Sequence, residues 1–242
     1  KREQAVVGFN RKKPGKPCVQ WNVGFVRGEA LSQRLMAGNT HGSQSLQWII
    51  EDVRNKLEKP ISILRLDSGY LSGDTLNYAM EHRLYLCMTA RYDWIVAQGV
   101  EIDEAKWQRY DEKTRLYELG ECQVISTSKH RFRVILVEKQ QEPFPGSKSK
   151  KKMLRYGIIE HLPFSFSPGE LHQFYHGRQT IEHFFKESTG PFNAGKLPSQ
   201  EFRGNEAYLH LITIAENCCV LFKKKFSLPI GKTVLWKPLG TG

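Results

Sequence analysis

The stretch Ile61 to Leu66 is short, mostly apolar and β-branched, and is closed off by Pro60 before it and Asp67-Ser68-Gly69 after it. A run of that length between turn signals predicts a buried strand near the centre of a sheet. What flanks it has helical period. Across His41 to Leu57, the apolar residues Leu46, Ile49, Ile50, Val53 and Leu57 repeat as on one face of an amphipathic helix. Downstream, Ser72 is a candidate N-cap for a helix running through Glu81, and Leu84 to Thr89 reads as the next strand. Upstream, Val19 to Val26 and Glu29 to Met36 read as two strands around Arg27-Gly28. The order β-β-α-β-α-β places the chain in the α/β class.

From Arg91 to about Leu171 the pattern changes. Leu116 to Leu119, Gln123 to Ser126, Arg131 to Glu138 and Leu154 to Glu160 have the alternation of antiparallel strands. The loop from Lys139 to Met153 is rich in Pro, Gly, Lys and Ser. After Pro168-Gly169 the helical period returns, as one helix from about Glu170 to Lys186 and another from Asn205 to Phe222. The second is apolar nearly all round and is expected to pack against the sheet. Three stretches follow: a first part of the core over 1–90, a β-rich insertion over 91–170, and a helical C-terminal part over 171–242.

Several function classes drop out. The most apolar segment, Ala207 to Phe222, is interrupted by His210, Glu216 and Asn217 and is too short to span a bilayer. Nothing in Lys1 to Gln20 has the apolar core of an export signal. Five cysteines, an odd count without a C-x-x-C, argue against a disulfide framework. That cysteine usage makes a reducing cytoplasm the expected location, and 36 basic residues against 25 acidic ones, a net charge of +11, predict attraction to polyanions and hence association with the nucleoid. The charge is clustered. Lys1, Arg2, Arg11, Lys12, Lys13 and Lys16 face Glu3 alone among the first twenty residues; Lys148, Lys150, Lys151, Lys152 and Arg155 form a second cluster, and Lys223 to Lys225 a third. Clusters flanking ordered elements favour nucleic acid over a uniformly solvated surface.

Two acids stand out by position. Asp67 ends the buried strand, and in open α/β sheets ligands gather at the carboxyl ends of strands. Asp-Ser-Gly is equally ordinary turn chemistry, and local sequence does not separate the two readings. On the helix expected over Glu170 to Lys186, Tyr175, Arg178, Glu182 and Lys186 fall within about an 80° arc. Surface salt bridges would also explain Arg178–Glu182 and Glu182–Lys186, but not the tyrosine on the same line. His172 and His176 have zinc-compatible i,i+4 spacing without a third ligand, and are expected to face solvent or phosphate. Trp94 and Trp107 are candidates to stack on an unpaired base, or to be buried anchors. Nothing resembles a phosphate-cradling Gly-rich loop or a nucleophile elbow.

Taken together, these segments resemble the DDE transposases of bacterial insertion sequences. Leu64-Arg65-Leu66-Asp67-Ser68-Gly69-Tyr70 is similar to their second-aspartate motif, and Tyr175-x-x-Arg178-x-x-x-Glu182 to the Tyr-Arg-Glu-Lys signature of the cut-and-paste branch. Gly8 to Gly15, Gly38 to His41 and Leu197-Pro198-Ser199 resemble further family segments in the same order. The resemblance implies a ribonuclease-H-like core with an inserted antiparallel β-rich subdomain. It implies that Asp67 and Glu182 are two of three carboxylates holding two Mg²⁺ or Mn²⁺ ions. By the same resemblance Arg178 clamps a phosphate, Tyr175 positions the backbone or a displaced base, and Lys186 adds positive charge. With the basic residues Lys12, Lys13, Lys150, Lys151 and Lys152, these would bind double-stranded DNA, both terminal inverted repeats and target, with a homodimer assembling on it. Two departures are expected to matter. The only acid before Gln20 is Glu3, so the first aspartate is missing and an N-terminal truncation is inferred. Thr189 stands where the signature has its lysine. The fragment is therefore expected to bind DNA and cleave little; a non-catalytic DNA-binding protein of the same fold, or an RNase-H-like nuclease, are the alternatives.

Overall fold

In chain order the elements of the computed structural model are β1 (Val6–Val7), β2 (Pro17–Val26), β3 (Glu29–Ala37), α1 (Ser43–Leu57), β4 (Ile63–Leu66), α2 (Gly73–Glu81), β5 (Tyr85–Arg91) and α3 (Tyr92–Val96). Then come β6 (Gln108–Arg109), β7 (Thr114–Cys122), β8 (Phe132–Gln141), β9 (Lys152–His161), α4 (Pro168–His176), α5 (Gln179–Thr189) and α6 (Phe202–Lys225). The structure describes residues 2–8, 14–141 and 152–226. The chain divides into two compact units, one of residues 1–40, 47–58 and 179–242, the other of 41–46 and 59–178.

The first unit is built on a hairpin. Strands β2 and β3 pair antiparallel, Val26 opposite Glu29, leaving Arg27 and Gly28 as a two-residue turn with both residues at positive φ. That is the turn geometry whose twist suits a hairpin. Helix α1 presses Ile49, Ile50 and Val53 onto the hairpin, closely enough that a Cβ on Gly24 would lie 2.6 Å from Ile49 Cγ2. Leu35, Ala194, Leu209 and Ile212 form the apolar centre, edged by Trp21, Phe192 and Phe202. Helix α6 reaches β3 through polar groups as well. The Asn217 amide donates to Ala30 O at 2.8 Å and accepts from Ala30 N at 2.9 Å, and Thr213 Oγ1 donates to Gln33 Oε1 at 2.9 Å. The sequence expectation for this helix therefore needs correcting. It packs by one face only, and that face carries Asn205, Thr213 and Glu216 while several apolar residues face outward.

The second unit is a six-stranded mixed sheet in the order β4-β5-β9-β8-β7-β6. Strands β4 and β5 are parallel and every other pairing is antiparallel, but β4 is not the central strand that its short apolar run predicts: it stands at the end of the sheet, with β5 its one partner among the described residues and Ile63 exposed. The antiparallel strands join the parallel pair directly, β9 lying against β5 with Met88 opposite Ile159. The α/β class expected from the pattern is the class observed. Helix α4 covers one face through Leu171 and Tyr175, which pack with Cys87, Leu116, Ile135, Val137 and Ile158. Ser72 caps α2 as predicted, its side chain accepting from Thr75 N.

Two further expectations fail here. Gln123 to Ser126 is not a strand: β7 already ends at Cys122, and the chain turns with Val124 buried. The single helix from Glu170 to Lys186 is two. A capping box at Ser167 and Glu170, with Pro168 in the first turn, starts α4. It stops at Gly177, where Arg65 Nη1 donates to Phe174 O at 2.7 Å. A Cβ at Gly177 would lie 2.9 Å from that same nitrogen, so close approach of the guanidinium favours glycine there. Tyr175, Arg178, Glu182 and Lys186 thus do not share one helix face, and the arc argument loses its premise.

Candidate active site

Asp67 is fixed by its own backbone. It caps the 3₁₀ turn Ser68–Tyr70, its Oδ1 accepting from Gly69 N at 2.9 Å. The turn reading of Asp-Ser-Gly is observed: one oxygen is spent on the turn, and the other lies 3.5 Å from Arg178 Nη1. Arg178 is 17% exposed and Asp67 45%, so the pair sits at a rim with the guanidinium on the inner side. The Arg178 guanidinium lies over the Tyr175 ring, 5.6 Å from its centre, and Tyr175 OH is 3.1 Å from Thr89 Oγ1 on β5. Asp67, Tyr175 and Arg178, three residues the sequence singles out, therefore come together in one unit.

The surroundings are less expected. Tyr70 is largely enclosed, and burial pushes its hydroxyl up to about 12, with the Asp67 charge adding to the rise and a Ser45 hydrogen bond opposing it. Tyr175 is likewise raised, first by burial and against the pull of Arg178. Both phenols remain neutral donors beside a carboxylate. Arg65 is half-buried, and its ordinary pKa is lowered by burial, with Arg178 adding to the effect. Tyr70, Thr89 and Arg65 were not among the expected site residues. Tyr70 and Arg65 flank Asp67 in the motif and were within reach of a sequence reading; Thr89 depends on the β4–β5 pairing.

Glu182 and Lys186 lie exposed on α5 in the other unit. This helix is held by aromatic packing: Phe184 lies 5.4 Å from Trp21 and 4.9 Å from Phe25, and Phe185 lies 5.5 Å from Trp21. Thr189 turns its hydroxyl back to Phe185 O at 2.7 Å, closing the helix rather than offering a charge. Glu3, the one acid near the chain's start, is committed elsewhere, its Oε2 accepting from Phe202 N at 2.8 Å at the head of α6. Lys12, Lys13, Lys150 and Lys151 lie outside the described residues; Lys152 opens β9, and its side chain is not described. Of the third basic cluster, Lys223 pairs with Glu187 at 3.4 Å and Lys224 with Glu29 at 2.7 Å.

The histidine expectation is corrected. His172 is buried rather than facing solvent or phosphate, its ring set edge-on to Tyr110 at 4.8 Å. Burial, with His176 next in weight, lowers its pKa to about 4, so it is neutral. Trp107 is an anchor, buried beneath the guanidinium groups of Arg115 and Arg155. Among the described residues no three or more His, Cys, Asp or Glu side chains gather as a metal site. Asp67 by itself has the chemistry of one hard-cation ligand, an oxygen directed at positive charge and kept partly exposed.

Compared with known proteins, residues 10–218 match the family described as the transposase DDE domain. No curated protein matches. Among solved structures, the chain is similar to a piggyBac transposase in a synaptic complex with hairpin DNA, at 11% identity and a TM-score of 0.49, over 90% of this chain and 44% of that one. The chain thus spans less than half the length of that transposase.

Proposed function

This chain belongs to the transposase DDE domain family, and from that premise we propose that it serves DNA cleavage and strand transfer at the ends of a mobile element. The observation that carries the reading is the Asp67–Arg178–Tyr175 group at the end of a parallel strand. A carboxylate in that place suits a hard cation, and a planar guanidinium beside it suits a phosphodiester.

In this reading Asp67 and Glu182 would hold Mg²⁺ or Mn²⁺, supplying the charge that activates a water or 3′-hydroxyl and stabilises the leaving oxygen. Arg178, which now balances the Asp67 charge, binds a non-bridging phosphate oxygen through its fork. Tyr175, held by Thr89, keeps that guanidinium in plane and presents a neutral hydroxyl to the DNA backbone. The water oxygen bonds to phosphorus as the bond to the 3′-oxygen breaks, and the freed 3′-hydroxyl oxygen then bonds to a target phosphorus as the bond to that phosphate's own 3′-oxygen breaks, the target strand leaving with a 3′-hydroxyl. Lys186 and the basic stretches containing Lys12, Lys13, Lys150, Lys151 and Lys152 hold the duplex. The ribonuclease-H-like organisation, with 91–170 as an insertion between the second and third carboxylates, belongs to the same proposal.

Two carboxylates are fewer than the three this chemistry uses. The 242 residues alone are therefore expected to retain DNA and cut little. The deciding assay is cleavage of a duplex bearing the element's terminal inverted repeat, in Mg²⁺, by a polypeptide that adds a strand ending in Asp ahead of this chain. Asp67→Ala or Glu182→Ala should each abolish cutting while DNA retention persists. Cutting that survives either substitution sinks the assignment; robust cutting by the 242 residues alone sinks the inactive-fragment part.

A further inference from the structure

Arg65 carries a half-buried charge that no carboxylate answers among the described residues. From β4 its side chain lines a cavity of about 380 Å³ together with Phe166, Glu170, Gln173, Phe174 and Gly177. The guanidinium is stacked. Its carbon lies 5.2 Å from the centre of the Phe174 ring, and the Phe166 ring lies 5.2 Å from that of Phe174, tilted by 31°. Nη1 donates to Phe174 O at 2.7 Å, which leaves Nε and Nη2 with no hydrogen-bond partner among the described residues. The acid among the lining residues, Glu170, is engaged elsewhere: it closes the capping box, its Oε2 accepting from Ser167 N at 2.8 Å and from Ser167 Oγ at 2.7 Å. The charged neighbour that does act on Arg65 is Arg178, of the same sign. A guanidinium does not shed its proton, so a half-buried one without an acid calls for an anion from outside.

We propose that this anion is a phosphate: the Nε–Nη2 edge of Arg65 takes two oxygens of a DNA phosphodiester neighbouring the one that Arg178 binds. Two parallel N–H donors match two phosphate oxygens, and this is the edge that the chain leaves open. The phenyl rings hold the fork in plane and lower the local dielectric, which strengthens a charged contact. Gly177 brings the two cations together. A Cβ there would meet Arg65 Nη1 at 2.9 Å, and Arg178 is the next residue. Inorganic phosphate offers the same oxygens. The anion site therefore stands on the cavity alone, whereas its occupant rests on the DNA reading above.

Two measurements on the whole chain separate the two sources. In fluorescence anisotropy with a labelled duplex, Arg65→Gln should bind roughly tenfold more weakly at 0.1 M salt, and the slope of log K against log salt should shrink by about one. In thermal melts, inorganic phosphate in excess, against chloride at equal ionic strength, should raise the melting temperature of the wild type and not of Arg65→Gln. Arg65 also closes α4 through Phe174 O, so a second pair of variants leaves it in place. Gln173 is exposed on the cavity wall; Gln173→Glu should weaken duplex binding and Gln173→Lys strengthen it, by about threefold each. The Gln173→Glu effect should vanish in the Arg65→Gln background, because both act on one phosphate. A slope that Arg65→Gln leaves unmoved overturns the proposal; if phosphate still raises the melting temperature only when Arg65 is present, the cavity belongs to a free oxyanion instead. Equal duplex binding by Gln173→Glu and Gln173→Lys overturns it too. Neither measurement reads cutting, so this site can stand where the cleavage reading falls.

Discussion

Two buried ionisable side chains bracket the pH range in which this protein should be most stable, and their signs are opposite. Glu216, 2% exposed on the inner face of α6, is pushed up to about 7 by burial and then by Glu187; Ser188 Oγ donates to its Oε1 at 3.3 Å. A carboxyl whose folded pKa is raised contributes fully below its unfolded value near 4.5, and loses that contribution as pH climbs through about 7. Glu216→Gln should therefore flatten the fall in melting temperature between pH 5 and 8 and stabilise the protein by several degrees at the alkaline end. His172 acts from the other side. Its folded pKa of about 4 lies below the ordinary 6.5, so its contribution is present above 6.5 and drains away as pH falls toward 4. Neither ring nitrogen has a partner among the described residues, and the ring packs on Tyr110. His172→Phe keeps the packing and removes the protonation, so it should raise stability at pH 5 and change little at pH 8. Thermal melts of both variants across pH check the two limbs; parallel curves for wild type and variant would refute either assignment.

Helix α6 shows why burial, rather than hydrophobicity alone, governs what an element can lose. Asn217 satisfies both backbone groups of Ala30 on β3, and truncating it strands a donor and an acceptor at once. Asn217→Ala should cost about 2 kcal/mol or more in denaturant melts. Leu211→Gln, on the outward face, should stay within about 0.5 kcal/mol. A reversed order would mean that the helix faces are misassigned. The sequence reading runs the other way for this helix, because an apolar composition says nothing of which side is turned inward. Elsewhere the elements are legible: the Arg27-Gly28 turn and the Ser72 cap each carry a local signal strong enough to place them, whereas the run Ile63–Leu66 marks a strand but not its position at the edge of the sheet. The break at Gly177 carries only a weak one. It is enforced by Arg65, 109 residues from Phe174, and no window along α4 contains that partner.

At the scale of the whole chain, the candidate site was legible in its residue types and only partly in its arrangement. Asp67, Tyr175 and Arg178 could be picked out because a strand end and a motif mark them, and they meet within one unit. Their neighbours Thr89 and Arg65 come from strand pairing and a helix end, which are tertiary facts. Net charge is legible without any fold, and it supports a prediction that local geometry does not. If this chain of +11 binds DNA as proposed, its phosphate contacts come from basic groups other than Lys223 and Lys224, which are already paired internally. Each contact releases counterions, so the logarithm of the association constant for duplex DNA should fall linearly with the logarithm of salt, by close to one unit of slope per phosphate neutralised. Neutralising Lys12 and Lys13 together should lower that slope by about two, whereas Lys223→Gln should leave it unchanged and instead weaken the hold on Glu187. Fluorescence anisotropy with a labelled duplex at several salt concentrations measures the slope. A slope insensitive to the Lys12 and Lys13 changes, or one reduced by Lys223→Gln, would place the DNA on a different surface from the one the charge clusters indicate.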